Sequence, residues 1–286
     1  MKSQKITALL DGSVYSKSVC DHAIWLANRL NSSVELLHVL GRRDVSSQPS
    51  NLSGSIGLGA RTALLEELAE LDGQKAKLAQ KRGRAILDDA KELVTDNIEG
   101  DVSTKLVNGD LSDTLSENEN KADLIVIGKR GEAADFAQLH LGSNLERVAR
   151  TAEVPVLVTS RAFLPIGKVL IAFDGGKSVI KAVSYLAETK LLEGKDVTLL
   201  HVGEQSKQVQ KDLEGAASLL RDSGCVVDIQ VEEGQVETLI SAKVDRDETD
   251  MIVMGAYGHS RIRQLIIGST TTEMLRSCKV PILLFR

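Results

Sequence analysis

Four segments of this chain recur in the same order later in the chain. KITALLDGSVYSKSV (5–19) is echoed by KVLIAFDGGKSVIKAV (168–183), VELLHV (34–39) by VTLLHV (197–202), DLIVIGKRG (123–131) by DMIVMGAYG (250–258), and EVPVLV (153–158) by KVPILLF (279–285). An ordered internal repeat constrains the fold strongly, because whatever one copy forms the other forms too. The offsets also locate an insertion. Asp11 to Asp174 and His38 to His201 are both 163 positions, whereas Val102 to Val227 is 125, so the first copy carries about 38 extra residues between His38 and Val102. The insertion begins with a Ser- and Gly-rich stretch, RRDVSSQPSNLSGSIGLGA (42–60), which reads as a loop. A long run with apolar residues at helical spacing follows, up to about residue 95. Gly73 and Gly83 are expected to interrupt or bend that helix.

Each copy reads strand, helix, strand, helix, strand, short helix, strand, helix, strand. In the second copy the strands are VLIAF, VTLLHV, VVDIQV, MIVMG and PILLF, with helices near 177–191, 207–223, 235–245 and 268–278. Strands that are continuous apolar runs, alternating with helices, imply a parallel sheet covered on both faces. The expected fold is α/β: two tandem doubly wound, Rossmann-like domains, residues 1–160 and 161–286, each with a five-stranded parallel sheet flanked by helices. The linker TSRAFLPIGK (159–168) is short, which supports close packing of the copies.

Of the 286 residues 42% are hydrophobic and 26% charged, as in a globular domain. A formal charge of -5 disfavours a general nucleic-acid binder. No apolar run is long enough to cross a membrane, and Asp11 interrupts the first apolar stretch, so a cytoplasmic location is expected. Cys20, Cys225 and Cys278 are few and far apart, which suits buried apolar residues better than a disulfide framework or a redox sensor. His, Cys and carboxylates show no metal-ligand spacing. His38 and His201 end equivalent strands; a structural role comes first for both, with ligand contact the alternative.

The glycines are the chemically informative residues. In a doubly wound sheet, ligands bind beyond the carboxyl ends of the strands, where strand order reverses. Gly255 ends MIVMG, where the missing Cβ lets a ligand approach the backbone. Gly258 permits a turn. Gly268 and Ser269 then open a helix, with Ser269 a favoured N-cap, and exposed N–H groups at such an end favour phosphate. Ser269, Thr270 and Thr272 add hydroxyl donors. The first copy repeats the pattern as Gly128, Gly131, Gly142 and Ser143. Turns and helix caps alone are the plainer reading, which the recurrence disfavours.

The spacing G-x2-G-x9-G-S, with an Asp after the first strand and VPILLF at the end, resembles the universal stress protein family over nearly the whole chain. The resemblance implies ATP in the crevice of the second copy. Asp174 would contact the ribose or adenosine end, Ala172 and Val202 would flank the adenine, and Met254 and Gly255 would meet the ribose and first phosphate. Gly258, Gly268, Ser269 and Thr270 would hold the phosphates. Asp174 equally suits a turn in Asp-Gly-Gly. Magnesium, where present, would arrive with ATP and keep several waters. The first-copy counterparts are Asp11, Val39, Gly128, Gly131, Gly142 and Ser143. That copy departs from the pattern: ten residues separate Gly131 from Gly142, Glu132 and Asp135 lie among them, and Asn144 replaces Thr270. Carboxylates repel a triphosphate, though Lys129 and Arg130 would compensate, so the better site is expected in the second copy. The resemblance also implies that the last strands of the two copies pair across a pseudo-two-fold axis, making the chain a fused dimer, with a homodimer of the whole chain as an extension of that reading. The 44–60 loop is either a solvated insertion, the simpler reading, or a lid over the first site.

The expected function is therefore ATP binding in a regulatory or stress-protective role, with an unidentified downstream protein partner. No catalytic residue is evident, and any hydrolysis is expected to be slow. AMP, a cyclic nucleotide or another adenosine ligand fits the same pattern. Two alternatives stand beside it. AFDGGKSV (172–179) faintly resembles the S-G-G-x-D-S loop of ATP pyrophosphatases but has Asp174 at the first Ser and Ser178 at the Asp. The other alternative is a nucleotide-free interaction protein.

Overall fold

The computed structural model describes residues 4–41, 58–117, 122–130, 142–246, 248–256 and 268–286. The first half comprises β1 (Lys5–Leu10), α1 (Ser16–Leu30), β2 (Ser33–Leu40), α2 (Leu58–Thr95), β3 (Val102–Asn108), α3 (Leu111–Glu117), β4 (Leu124–Gly128), α4 (Ser143–Thr151) and β5 (Val156–Thr159). The second half repeats it as β6 (Lys168–Ala172), α5 (Lys177–Thr189), β7 (Asp196–Val202), α6 (Lys207–Asp222), β8 (Val226–Glu232), α7 (Val236–Asp245), β9 (Met251–Gly255), α8 (Ser269–Ser277) and β10 (Ile282–Phe285).

All ten strands join one sheet in the order β3-β2-β1-β4-β5-β10-β9-β6-β7-β8. Within each half every pairing is parallel. The expected meeting of the two last strands is observed: β5 and β10 pair antiparallel, with Leu157 opposite Leu283, Val158 opposite Ile282 and Val156 opposite Leu284. Leu157 and Leu283 are equivalent positions of the two copies, so a local two-fold passes beside that pair. An edge that each half would otherwise expose is thereby covered.

Alternation along the strands feeds two cores. Leu157 and Leu283 lie on the face that packs with Val19, Leu26, Leu87 and Val94 of α1 and α2 and with Val179, Leu186, Leu213 and Leu220 of α5 and α6. Val156, Val158, Ile282 and Leu284 lie on the other face with Leu145, Val148, Ile240, Met274 and Leu275. Side chains cross between the halves as well. Arg29 Nε donates to the Leu191 carbonyl at 3.0 Å, and an Arg286 guanidinium nitrogen to that of Arg150 at 2.8 Å.

Two expectations need correction. Residues 58–60 belong to α2 rather than to the Ser/Gly loop, whose remaining residues 42–57 lie outside the described residues. Neither Gly73 nor Gly83 interrupts the helix, which runs unbroken for 38 residues. Gly83 serves packing instead: a Cβ there would fall 2.8 Å from Leu106 Cδ1 and 2.9 Å from His38 Cδ2. The helix lies against β2 and β3 at that level, and only a residue without a side chain allows the approach.

Candidate nucleotide site

The strand order turns back on itself between β1 and β4 in the first half and between β6 and β9 in the second. Each switch point opens a crevice at the carboxyl ends of those strands. In the second half, Ala172, Val202, Met254 and Gly255 all lie at such ends. Ala172 and Val202 are half-buried and pack against the core that contains Leu200 and Met254, which makes an apolar wall. Met254 itself is buried, so its side chain belongs to the core and only its backbone borders the crevice.

The amino end of α8 is fastened beside Gly255. Thr271 Oγ1 donates to the Gly255 carbonyl at 3.1 Å, and the Gly268 N–H donates to the Ala256 carbonyl at 3.2 Å. The intervening residues 257–267, among them Gly258 and His259, lie outside the described residues. Gly268 itself is the N-cap, with φ -58° and ψ 148° and no side-chain cap bond. Ser269, expected as the cap, is the first helical residue, and its side chain is exposed. The glycine cap leaves the first amides of the helix without an intrahelical or capping acceptor, which is the condition for binding an anion there. Thr270 is half-buried in the same turn.

Asp174 is exposed and accepts the Gly176 N–H on Oδ1 at 2.8 Å. Asp11 accepts the Ser13 N–H at 2.9 Å. Both aspartates thus shape the turn after the first strand of their half. A ribose contact by Asp174 would be added to that role. Gly175 has φ +71°, and among the described residues nothing lies within 4 Å of where its Cβ would stand. His201 donates from Nδ1 to the Phe173 carbonyl at 2.9 Å, and His38 likewise to that of Leu10 at 2.6 Å. Each histidine ties the end of its half's second strand to the first, the structural role expected.

The first-half crevice is built differently. Tyr15 lies against Gly128: a Cβ on the glycine would stand 2.8 Å from Tyr15 Cβ and 3.4 Å from Cγ. At Gly12, with φ +76°, a Cβ would meet Ile86 Cδ1 at 2.6 Å and an Arg82 guanidinium nitrogen at 3.6 Å. Tyr15, Arg82 and Ile86 were not among the expected site residues. Tyr15 was legible, since its counterpart at the 163-residue offset is the small Ser178. Val39 is half-buried at the end of β2. Gly142 caps α4 with φ -60° and ψ 132°, again without a side-chain bond, and Ser143 follows as the first helical residue. Gly131, Glu132 and Asp135 lie outside the described residues.

Lys129 does not serve the first crevice as a counter-charge. Its Nζ donates to the Cys278 carbonyl of the other half at 2.5 Å, and burial holds its ammonium below the usual lysine range. The three cysteines are free and buried. Burial pushes the Cys20 thiol up to about 12 and raises Cys225 and Cys278 as well, so all three are poor nucleophiles. Among the described residues no group of three or more His, Cys, Asp or Glu is arranged to hold a metal ion, and no helix is long and apolar enough to cross a membrane.

The model of the universal stress protein family matches residues 2–160 and 203–286. The chain belongs to the universal stress protein family. It is 37% identical to universal stress protein Slr1230 of Synechocystis sp. over 286 residues, covering 99% of this chain and 100% of that protein. Universal stress protein MJ0531 of Methanocaldococcus jannaschii is 29% identical over 165 residues, 55% of this chain and 82% of its own. A crystal structure of a universal stress protein from Archaeoglobus fulgidus superposes with a TM-score of 0.69 at 20% identity, covering 99% of this chain and 98% of that one, a likeness of fold. This universal stress protein chain thus has the tandem α/β architecture expected of it, with two crevices of unequal construction.

Proposed function

We propose that the second half binds an adenine nucleotide, ATP first among them, and that the chain acts through that occupancy on a protein partner in a regulatory or stress-protective role. One observation carries the reading: the glycine-capped amino end of α8 is held beside Gly255 by the Thr271 and Gly268 hydrogen bonds. Phosphates would lie on the amides of Ser269 and Thr270, beside the Gly268 cap, with Gly258 as a further phosphate contact. The base would rest on Ala172 and Val202, and Asp174 would meet the ribose. Magnesium would come with the nucleotide, and hydrolysis would be slow at most. The same reading takes the two units to divide at residues 160 and 161 and the protein to work in the cytoplasm.

The first half serves mainly as scaffold in this account. Tyr15 stands against Gly128, and Ile86 and Arg82 stand against Gly12 beside Asp11, which crowds a ligand's approach to the turn and strand end there. Val39, Gly131, Gly142 and Ser143 would be the remaining contacts. The experiment is ATP titration by calorimetry, with chromatography of any nucleotide released from the purified protein by denaturation. Gly268→Val should abolish binding with the far-ultraviolet dichroism unchanged, whereas Gly142→Val should leave it intact. Undiminished affinity in Gly268→Val would overturn the assignment.

A further inference from the structure

The later turns of α2 are packed on the body: Gly83, Leu87, Ala90 and Val94 are buried. The turns before them are not. From Leu64 to Arg82 no residue is buried, over about 28 Å of helix. Yet Leu65, Leu71 and Leu78 are 50, 46 and 68% exposed. In proteins most helical stability comes from packing of an apolar face, and this stretch buries none of its residues. Its leucines also fall in a heptad frame. Leu64, Leu71 and Leu78 are seven apart, and Leu68 lies between the first two at the spacing of a coiled-coil seam.

The charges on this stretch are segregated. Residues 64–72 hold Glu66, Glu67, Glu70 and Asp72 and no base, while 74–84 hold Lys75, Lys77, Lys81, Arg82 and Arg84 and no acid. Both segments lie in the helix interior, since its first turn carries no acid and its last turn no base. Their order selects among partners. Two copies side by side in parallel would set acid against acid, whereas antiparallel copies set each acidic half on the other's basic half.

We propose that this exposed part of α2 is a contact surface for a second copy of the chain, the two helices running antiparallel. Alternating seam positions then set Leu68 on the partner's Leu78 and Leu71 along the alkyl stem of the partner's Lys75, with Glu67 near the partner's Lys81. The contact is remote from the β5–β10 junction, so it joins two complete tandem chains.

Sedimentation velocity of the full chain tests this. The expected result is a monomer–dimer equilibrium that added salt weakens. The triple variants E66K/E67K/E70K and K75E/K77E/K81E should each weaken self-association by at least about tenfold. An equimolar mixture of the two should recover a heterodimer, which also shows that neither variant has merely lost its helix. A wild-type chain that stays monomeric at high concentration, a dimer unaffected by either reversal, or a mixture that fails to associate would overturn the proposal. None of these outcomes bears on nucleotide binding at α8.

Discussion

Tyr15 and Gly128 are in backbone-close contact across the first-half crevice: a Cβ added at residue 128 would stand 2.8 Å from the tyrosine Cβ. Because the crowded atom is a Cβ rather than the tip of a side chain, it moves only with the main chain. Gly128→Ala is therefore expected to destabilise the protein by about 1–3 kcal/mol. Tyr15→Ala should not relieve the clash, since it keeps the Cβ, whereas Tyr15→Gly should. Urea unfolding of Gly128→Ala with each partner substitution checks this. Equal rescue by the two would show that ring packing rather than the Cβ governs the contact.

The two glycines inside α2 should respond with opposite signs. Gly83→Ala drives a methyl against Leu106 and against a His38 ring already held by its bond to the Leu10 carbonyl, and it should cost about 1–3 kcal/mol. Gly73 is exposed, and nothing among the described residues lies within 4 Å of its Cβ position. There Gly73→Ala should stabilise by up to about 1 kcal/mol through helix propensity. Unfolding midpoints of the two variants, compared at unchanged denaturant slope, decide the matter.

His22 makes stability fall in mild acid. Its Nδ1 donates to the Ser18 carbonyl at 2.7 Å, its ring stands edge-on to Phe163, and its Nε2 is buried with no hydrogen-bond partner among the described residues. A proton added at Nε2 would be a charge without solvent, and burial accordingly lowers the pKa from its ordinary 6.5. The unfolded chain takes up that proton near pH 6.5 while the folded chain resists it. Stability is then full above about pH 6.5 and declines below it, by at most about 1.4 kcal/mol per pH unit for one proton. His22→Leu should flatten this part of the pH profile in urea unfolding. An unchanged slope would mean another group sets it.

The strands and their order along the chain were open to reading because the central ones are largely apolar runs, β3 and β8 being mixed, and the set recurs in the same sequence of elements. Parallel pairing with cover on both faces follows from that pattern alone. Asp174 and Asp11 sat in a dipeptide context that already spelled a turn. The rest depended on contacts between residues far apart in the chain. Gly83 looks like a helix breaker until β2 and β3 are laid against it. Lys129 looks like a counter-ion for the neighbouring acids until Cys278 arrives from the other half. The capping role passed from Ser269 to Gly268 by a shift of one residue, smaller than local pattern resolves. Tyr15 could have been noticed by comparing the copies, but what it touches is settled only in three dimensions.

The antiparallel seam between β5 and β10 has an evolutionary consequence. When two separate subunits meet across such a junction, one gene encodes both, and every substitution appears on each side at once. Here the two sides are different stretches of one polypeptide. A bulky Tyr15 and a 38-residue α2 can thus stand on one side alone, while the other carries Ser178 and the 16-residue α6.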